Sequence, residues 1–352
     1  MQYDMHYYGT YAMAAAAGIP KEDAEVIANA AQFVDDQNFE RWAIAKSGEG
    51  IFGIATAHHP LEAGLRVGER AENKDDSRAV WVPFHFLPGN EGTSFDERLI
   101  ARKDSTVANA MLDYYLKPET IFAHQTHALH LIGVAAHVYA DTFSHYGFSG
   151  ISSDRNLIKT ESLQPDPSHS EGILQHIKEQ TDRFWAKVTS APKLGHGAVL
   201  TYPDRPYLRW SFEYLNGDSS ERINSATFVE ACEALHRRFT QFAVVYYGTK
   251  ARAPVAWPTI QETVSAIIKK EGTGDERVAF WMDAMSSGAL PEVTPPRDYR
   301  AEEWSNEITE FESEGDAQKF LASNPYNFFS AADYHRSYVL KRLLPSLGLM
   351  VG

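Results

Sequence analysis

The stretch Ala123 to Gly150, AHQTHALHLIGVAAHVYADTFSHYGFSG, constrains this chain more than any other. It carries five of the fourteen histidines and one acidic residue, Asp141. From Thr120 to Phe143 it has no proline and a single glycine, Gly133, so the natural assignment is an α-helix of five or six turns. At 100° per residue, His127, His130, Val134, His137, Asp141 and His145 fall within an arc of about 80°, while His124 points away. The sharpest unit is His137-x-x-x-Asp141-x-x-x-His145, because side chains at i and i+4 stand one turn apart and can share one ion or two adjacent ions. Flanked by Leu129, Leu131, Ile132, Val138 and Phe143, this face reads as one wall of a metal site rather than as a solvated polar stripe.

The rest of the chain supplies donors to close such a site. A first helix spans residues 5 to 17, with Asp4 as its N-cap and Gly18 as its stop. A second begins at Pro20 with Glu22 and Asp23 in its first turn, and ends at Asp35-Asp36. Two carboxylates at the negative end of a helix dipole call for compensation, and a cation would provide it. His58 and His59 lie in an irregular region that includes a charged, solvated run from Arg70 to Arg78. His85 sits between Phe84 and Phe86 and is bracketed by Pro83 and Pro88, which favours an extended, rigid segment. In that apolar setting its imidazole stays neutral, as a metal requires. Asn90 suits a turn or the positioning of a substrate oxygen.

Beyond the histidine-rich stretch, Ser168 and Glu171 have the spacing of a capping box, which accounts for both residues without chemistry. His169 and His176 are ambiguous. His196 stands between two glycines that let the backbone approach a ligand. Arg205 suits either a phosphate contact or a pairing with Asp204. From residue 219 the pattern becomes amphipathic and helical, with Thr259 and Glu262 spaced as a capping box. His236 and His335 have basic neighbours that disfavour a bound cation.

Composition narrows the partners. Forty-seven acidic against 33 basic residues give a formal net charge of −14, which argues against an extended nucleic-acid surface but allows a small nucleotide or lipid headgroup. Cys232 is the single cysteine, so an internal disulfide and a cysteine-rich zinc site are both excluded. Any zinc would be held by histidine and carboxylate. No apolar run reaches membrane-spanning length and no secretory signal is visible, so the expectation is a cytoplasmic protein, or one exported without a cleaved signal. The expected fold is all-α: a multi-helix bundle with a metal cluster between helices, irregular loops and a helical C-terminal extension. Residues 1–218 read as the catalytic, metal-binding domain. Residues 219–352 form a helical region, separate or packed into the same domain, that serves as packing, lid or protein-binding surface.

His6 on the first helix, Asp35-Asp36 after the second, the His85-Phe86 pair and the His137-x-x-x-Asp141 helix followed by His145 resemble, in their order, the zinc-dependent phospholipase C and single-strand nuclease superfamily. The resemblance covers residues up to about 200 and implies an all-α fold around as many as three zinc ions. On matching positions it implies paired ligand roles for His137 and Asp141, with Asp141 bridging two ions. Asp35 or Asp36 and His85 would complete the first site, and His6 would serve the second. Three departures accompany it. Only three residues separate Asp141 from His145, fewer than is usual in the family. No His-x-x-x-Glu pair follows, which leaves His169, Glu171 and His196 as candidates for the remaining ion. Family members also use the α-amino group of a processed N-terminus, whereas this chain opens at Met1 with no visible signal to remove.

These readings lead to one expectation: a metal-dependent hydrolase acting on a small phosphoester, a phospholipid headgroup or a nucleotide, through water activated by two or three ions. Zinc is the expected metal, and manganese or iron suits the same donors. Asp36 is the expected general base. The expected ligands are His6, Asp35, Asp36, His85, His137, Asp141, His145 and His196, with Asp4, His58, His127, His130, His169 and Glu171 as weaker candidates and Asn90 and Arg205 facing substrate. Other histidine and carboxylate metalloenzymes are the alternatives, but the adjacent His-Asp pair of the HD phosphohydrolases and the paired Glu-x-x-His motifs of di-iron proteins are missing. A metal-stabilised interaction or effector protein is the non-enzymatic alternative.

Overall fold

A helix that is apolar around most of its circumference must be enclosed, and the central one is. In the computed structural model, which describes residues 1–57, 77–186 and 192–351, every residue of the helix Ala128–His145 except Leu129 is buried. The helix is shorter at its start than its composition suggests. Pro118–Ala123 forms a separate helix, Gln125–His127 a 3-10 turn, and the long helix begins only at Ala128. The break falls where His124 leaves helical geometry and its ring packs 4.0 Å from that of Tyr334.

Around this axis pack Lys21–Asp36, Asn324–Tyr338, Asn224–Tyr247 and the stretch Ser77–His85. The approach of Lys21–Asp36 is the tightest. A Cβ on Gly133 would stand 2.4 Å from the carbonyl oxygen of Ile27 and 2.8 Å from Ala30 Cβ, so only glycine permits this crossing. The largest apolar core draws on Tyr11, Met111 and Tyr139 together with Phe228, Trp281 and Leu344. Residues on both sides of position 218 therefore share one interior.

Among the described residues the architecture is mostly α-helical, with two small antiparallel sheets that the helical reading did not include. Arg41–Ile44 pairs with Gly50–Gly53, and Gln164–Pro165, Arg209–Glu213 and Ser219–Ile223 form a three-stranded sheet in that order. The second sheet follows from alternation, since Trp210 and Phe212 point inward between outward Arg209 and Ser211, and Asn216-Gly217 makes the turn with Gly217 at φ 94°.

Two local expectations are corrected. Ser77–His85 is not extended but π-helical, with Pro83 inside it. Phe86 N bonds Trp81 O, five residues back, at 2.8 Å. The wider π turn accommodates a proline that lacks a donor and would clash in an α turn. The capping boxes also fall elsewhere. Ser94 with Glu97 and Thr273 with Glu276 form them, whereas the helix after Ser168 starts at Glu171 behind Ser170, and the helix near Thr259 starts at Trp257. Among the described residues no helix is long and apolar enough to cross a membrane.

Candidate metal centre

Asp141 lies at the hub of the site and is fully buried. Its Oδ1 is 3.2 Å from His6 Nε2 and 2.7 Å from the Met1 amino nitrogen; its Oδ2 is 3.2 Å from His137 Nε2 and 3.4 Å from His85 Nδ1. Asp35 closes the group from the end of its helix, with Oδ1 3.8 Å from both His85 Nδ1 and His137 Nε2 and Oδ2 3.9 Å from His6 Nε2. A further group lies beside it. His145 Nε2 is 3.0 Å from Asp204 Oδ1, and His196 Nε2 is 3.5 Å from Asp204 Oδ2. The Met1 nitrogen links the two, at 3.3 Å from Asp204 Oδ1. Among the described residues three sets of donors each converge within 4.8 Å: His6, Asp35 and His137; His85, His137 and Asp141; His145, His196 and Asp204.

The fold also fixes which ring nitrogen faces inward. His137 Nδ1 bonds Ala31 O at 2.8 Å, His85 Nε2 bonds Thr56 O at 2.8 Å, His145 Nδ1 bonds His85 O at 2.9 Å and His196 Nδ1 bonds Leu200 O at 2.6 Å. A carbonyl oxygen only accepts, so each of these nitrogens carries a proton, and the opposite nitrogen faces the cluster, where in a neutral ring it offers a lone pair. This backbone-anchored arrangement is the one that metal-ligating histidines use. Among the described residues neither nitrogen of His6 has a hydrogen-bond partner, nor does Asp141 Oδ2, and buried polar atoms left so are costly unless something binds them.

Electrostatics agree. Burial, together with the charges of His137 and the amino terminus, pulls His6 down to about 3, which keeps it neutral. Burial alone pushes Asp141 up, yet His145, the amino terminus, His137 and His6 outweigh it and hold the carboxyl well below the usual range. Asp204 behaves likewise through His196 and the amino terminus. The Met1 amine, despite burial, is raised to about 11 by Asp141, Asp204 and Asp35. His6 thus offers a lone-pair nitrogen and Asp141 and Asp204 ionised carboxylates, the chemistry a divalent cation needs, while the Met1 ammonium stands between the two carboxylates as a cation. Asp35 is the open edge, its side chain 31% exposed while those of His6, His137 and Asp141 are inaccessible.

The structure brings together His6, Asp35, His85, His137, Asp141, His145 and His196. It does not bring in Asp36, whose carboxylate accepts from Tyr299 Oη at 2.5 Å and from Gln32 Nε2 at 3.3 Å. One helical step of 100° separates it from Asp35 and points it to another partner. Asp4 neither caps a helix nor joins the cluster; it is buried in a double contact with Arg277, at 2.8 and 3.1 Å. His130 bonds Asn324, and His127 lies beside Thr126 in the 3-10 turn, both upstream of the cluster. His169 pairs with Glu271 at 2.6 Å, and Glu171 is exposed at the start of its helix. Asn90 adopts φ 58° in a turn and bonds Arg98 and Leu347. The guanidinium of Arg205 is taken up by Thr201, Tyr207 and Gln180. His58 and His59 lie outside the described residues.

One donor and one charged neighbour of the cluster escaped the sequence reading. Asp204 was legible only as a neighbour of Arg205; its place eight residues after His196 in a turn-rich run was the available signal. The Met1 nitrogen is brought in by the chain's path through Gln2 and Asp4, which Arg277 holds.

Fold and site together define a mostly α-helical protein with a buried histidine and aspartate centre able to hold metal. The chain belongs to the family described as Family of unknown function (DUF6765), whose model matches residues 1–343. No curated protein and no solved structure matches it.

Proposed function

We propose that the cluster holds two or three divalent ions and that the protein is a metal-dependent hydrolase of small phosphoesters. The observation that carries this reading is the set of four histidines, each protonated toward a backbone carbonyl and each turning its remaining nitrogen to Asp141, Asp35 or Asp204. A structural metal needs only one such set; overlapping sets sharing His137, with Asp141 between them, suit a multi-ion centre. Divalent ions held there would lower the pKa of a bound water, orient a phosphoryl group and stabilise charge on the leaving oxygen.

The chain's own residues divide the work. His85, His137 and Asp141 form one set of donors, His6, Asp35 and His137 a second, and His145, His196 and Asp204 a third. Asp35 replaces Asp36 as general base, because it borders the cluster and is its most solvent-accessible carboxylate. The order of these donors along the chain supports kinship with the zinc-dependent phospholipase C and nuclease superfamily, and with it zinc as the metal. The net charge of −14 favours a headgroup or nucleotide over a long polyanion.

The test is metal analysis of protein purified without added metal, followed by assay on a panel of phosphomonoesters, phosphodiesters and phosphorylcholine esters. Two or more equivalents of metal with chelator-sensitive hydrolysis are expected. Less than one equivalent, even after reconstitution with zinc, manganese or iron, would overturn the reading. Bound metal without hydrolysis of any substrate would leave a structural centre, the reading that the deep burial of His6, His137 and Asp141 favours.

A further inference from the structure

The third donor group is held from outside by two residues at one strand-to-helix junction. Arg222, in the strand Ser219–Ile223, and Asn224, the first residue of the helix Asn224–Tyr247, are only 2% and 3% exposed. Arg222 Nη1 donates to Ser144 O at 3.1 Å, and its Nη2 donates to Tyr146 O. These carbonyls flank His145. The guanidinium also lies 3.9 Å from the Tyr146 ring centre and within 5.5 Å of those of Phe148, Trp210 and Phe212. A cation at the last carbonyls of the central helix is favoured by the helix dipole, and the aromatic walls fix its plane.

Asn224 does the same for the other donor. Its Nδ2 donates to Tyr202 O at 2.7 Å, Pro203 O at 3.3 Å and Arg205 O at 2.8 Å, while its Oδ1 accepts from Trp210 Nε1 at 3.0 Å. These carbonyls flank Asp204. Ser144 Oγ joins the two halves, 3.1 Å from Asp204 Oδ1 and 3.2 Å from Pro203 O. Neither Arg222 nor Asn224 makes a hydrogen bond or ion pair with a donor atom of the group, yet both hold the backbone on either side of one.

We propose that Arg222 and Asn224 are positioning residues that set the spacing of His145 and Asp204, and so govern the affinity of the ion held with His196. This rests on the metal-centre reading above. Residues that orient ligands without touching the ion change its affinity by about 10- to 100-fold. The side chains of His85, His137 and Asp141 make no hydrogen bond or ion pair with Arg222 or Asn224, so the ion they hold should be unaffected.

The experiment is stepwise zinc titration of chelator-stripped protein, with bound zinc counted after dialysis against buffered zinc. Wild type, Asn224→Ala, Arg222→Lys, His196→Ala and His85→Ala are compared. Asn224→Ala and Arg222→Lys are expected to reproduce His196→Ala, with one binding step weakened 10-fold or more and the steps sensitive to His85→Ala retained. Arg222→Lys keeps the charge but loses the planar fork whose two nitrogens each hold one carbonyl, so it carries the test if Asn224→Ala does not fold. Unchanged stepwise affinities in both variants, with only a lower melting temperature, would overturn the proposal and leave the pair ordinary packing residues. Wild type that binds no zinc would overturn the metal-centre reading itself, and the proposal with it.

Discussion

His85 Nδ1 and His137 Nε2 face each other across 3.3 Å, while the far nitrogen of each ring donates to a backbone carbonyl. Two lone pairs held this close repel unless a proton or a metal ion lies with them, and the adjoining carboxylates of Asp141 and Asp35 favour either cation. Burial opposes a charge on His85, yet the 3.4 Å contact with Asp141 Oδ2 and the charges of Asp35 and Asp141 raise its pKa. A proton and a metal therefore compete for the same place.

Removing the metal is expected to destabilise the protein, because the inward nitrogens and carboxylates then face one another uncompensated. A site occupied at a hundredfold excess of free ligand over its Kd adds about 2.7 kcal/mol. Thermal scans with and without chelator measure the effect, and an unmoved transition would count against the centre.

Asp35 and Asp36 are expected to separate cleanly. Asp36→Asn keeps an oxygen that can accept from Tyr299 and should retain bound metal and hydrolysis. Asp35→Asn should reduce turnover by about 100-fold or more, the usual scale for a general base. Equal losses in the two variants would return Asp36 to the role that adjacency in sequence allowed it.

Acid should unfold the metal-free protein early. Burial lowers His335 and His130 to about 4 each, although a bond to Pro83 O in the first case and to Asn324 in the second opposes it. Their folded pKa values lie below the unfolded value of about 6.5, so below that pH the unfolded chain takes up protons that the folded chain refuses. Stability is full above about pH 6.5 and is lost as pH falls toward 4, on the order of 3 kcal/mol for each group. Urea unfolding of chelated protein at pH 7 and pH 5 checks this. His335→Gln should flatten the dependence, and a slope identical to wild type would contradict it.

Gly133→Ala is expected to cost about 1–3 kcal/mol, the range for overpacking. The added methyl meets Ile27 O and Ala30 Cβ and pushes the helix bearing Asp35 away from the one bearing His137. Metal affinity should therefore fall together with the melting temperature. A drop in melting temperature alone would mean that the crossing is structural and does not set the site.

Much of the centre is legible before any folding is considered. The 3.6-residue period places His137, Asp141 and His145 on one face, the dipole argument marks the end of the second helix as a cation-seeking position, and the glycines around His196 mark a close approach. Periodicity acts within one element, and within one element it is dependable. The helix start at Ala128 and the π turn at Pro83 depart from it because they answer to partners distant in sequence, Tyr334 for the one and, for the other, a widened turn whose Pro83 carbonyl bonds His335.

The sequence by itself determined the helical class, the histidine-bearing axis and the kind of chemistry its donors support. Only the tertiary structure decided between Asp35 and Asp36, supplied Asp204 and the Met1 nitrogen, and turned His130, Asp4, His169 and Arg205 to other partners. The reason is physical. A donor's face is set by local geometry, but its distance from a donor a hundred residues away is set by how closely backbones pack, at Gly133 against Ile27 and at Asn224 behind Asp204. Those distances are properties of the assembled core.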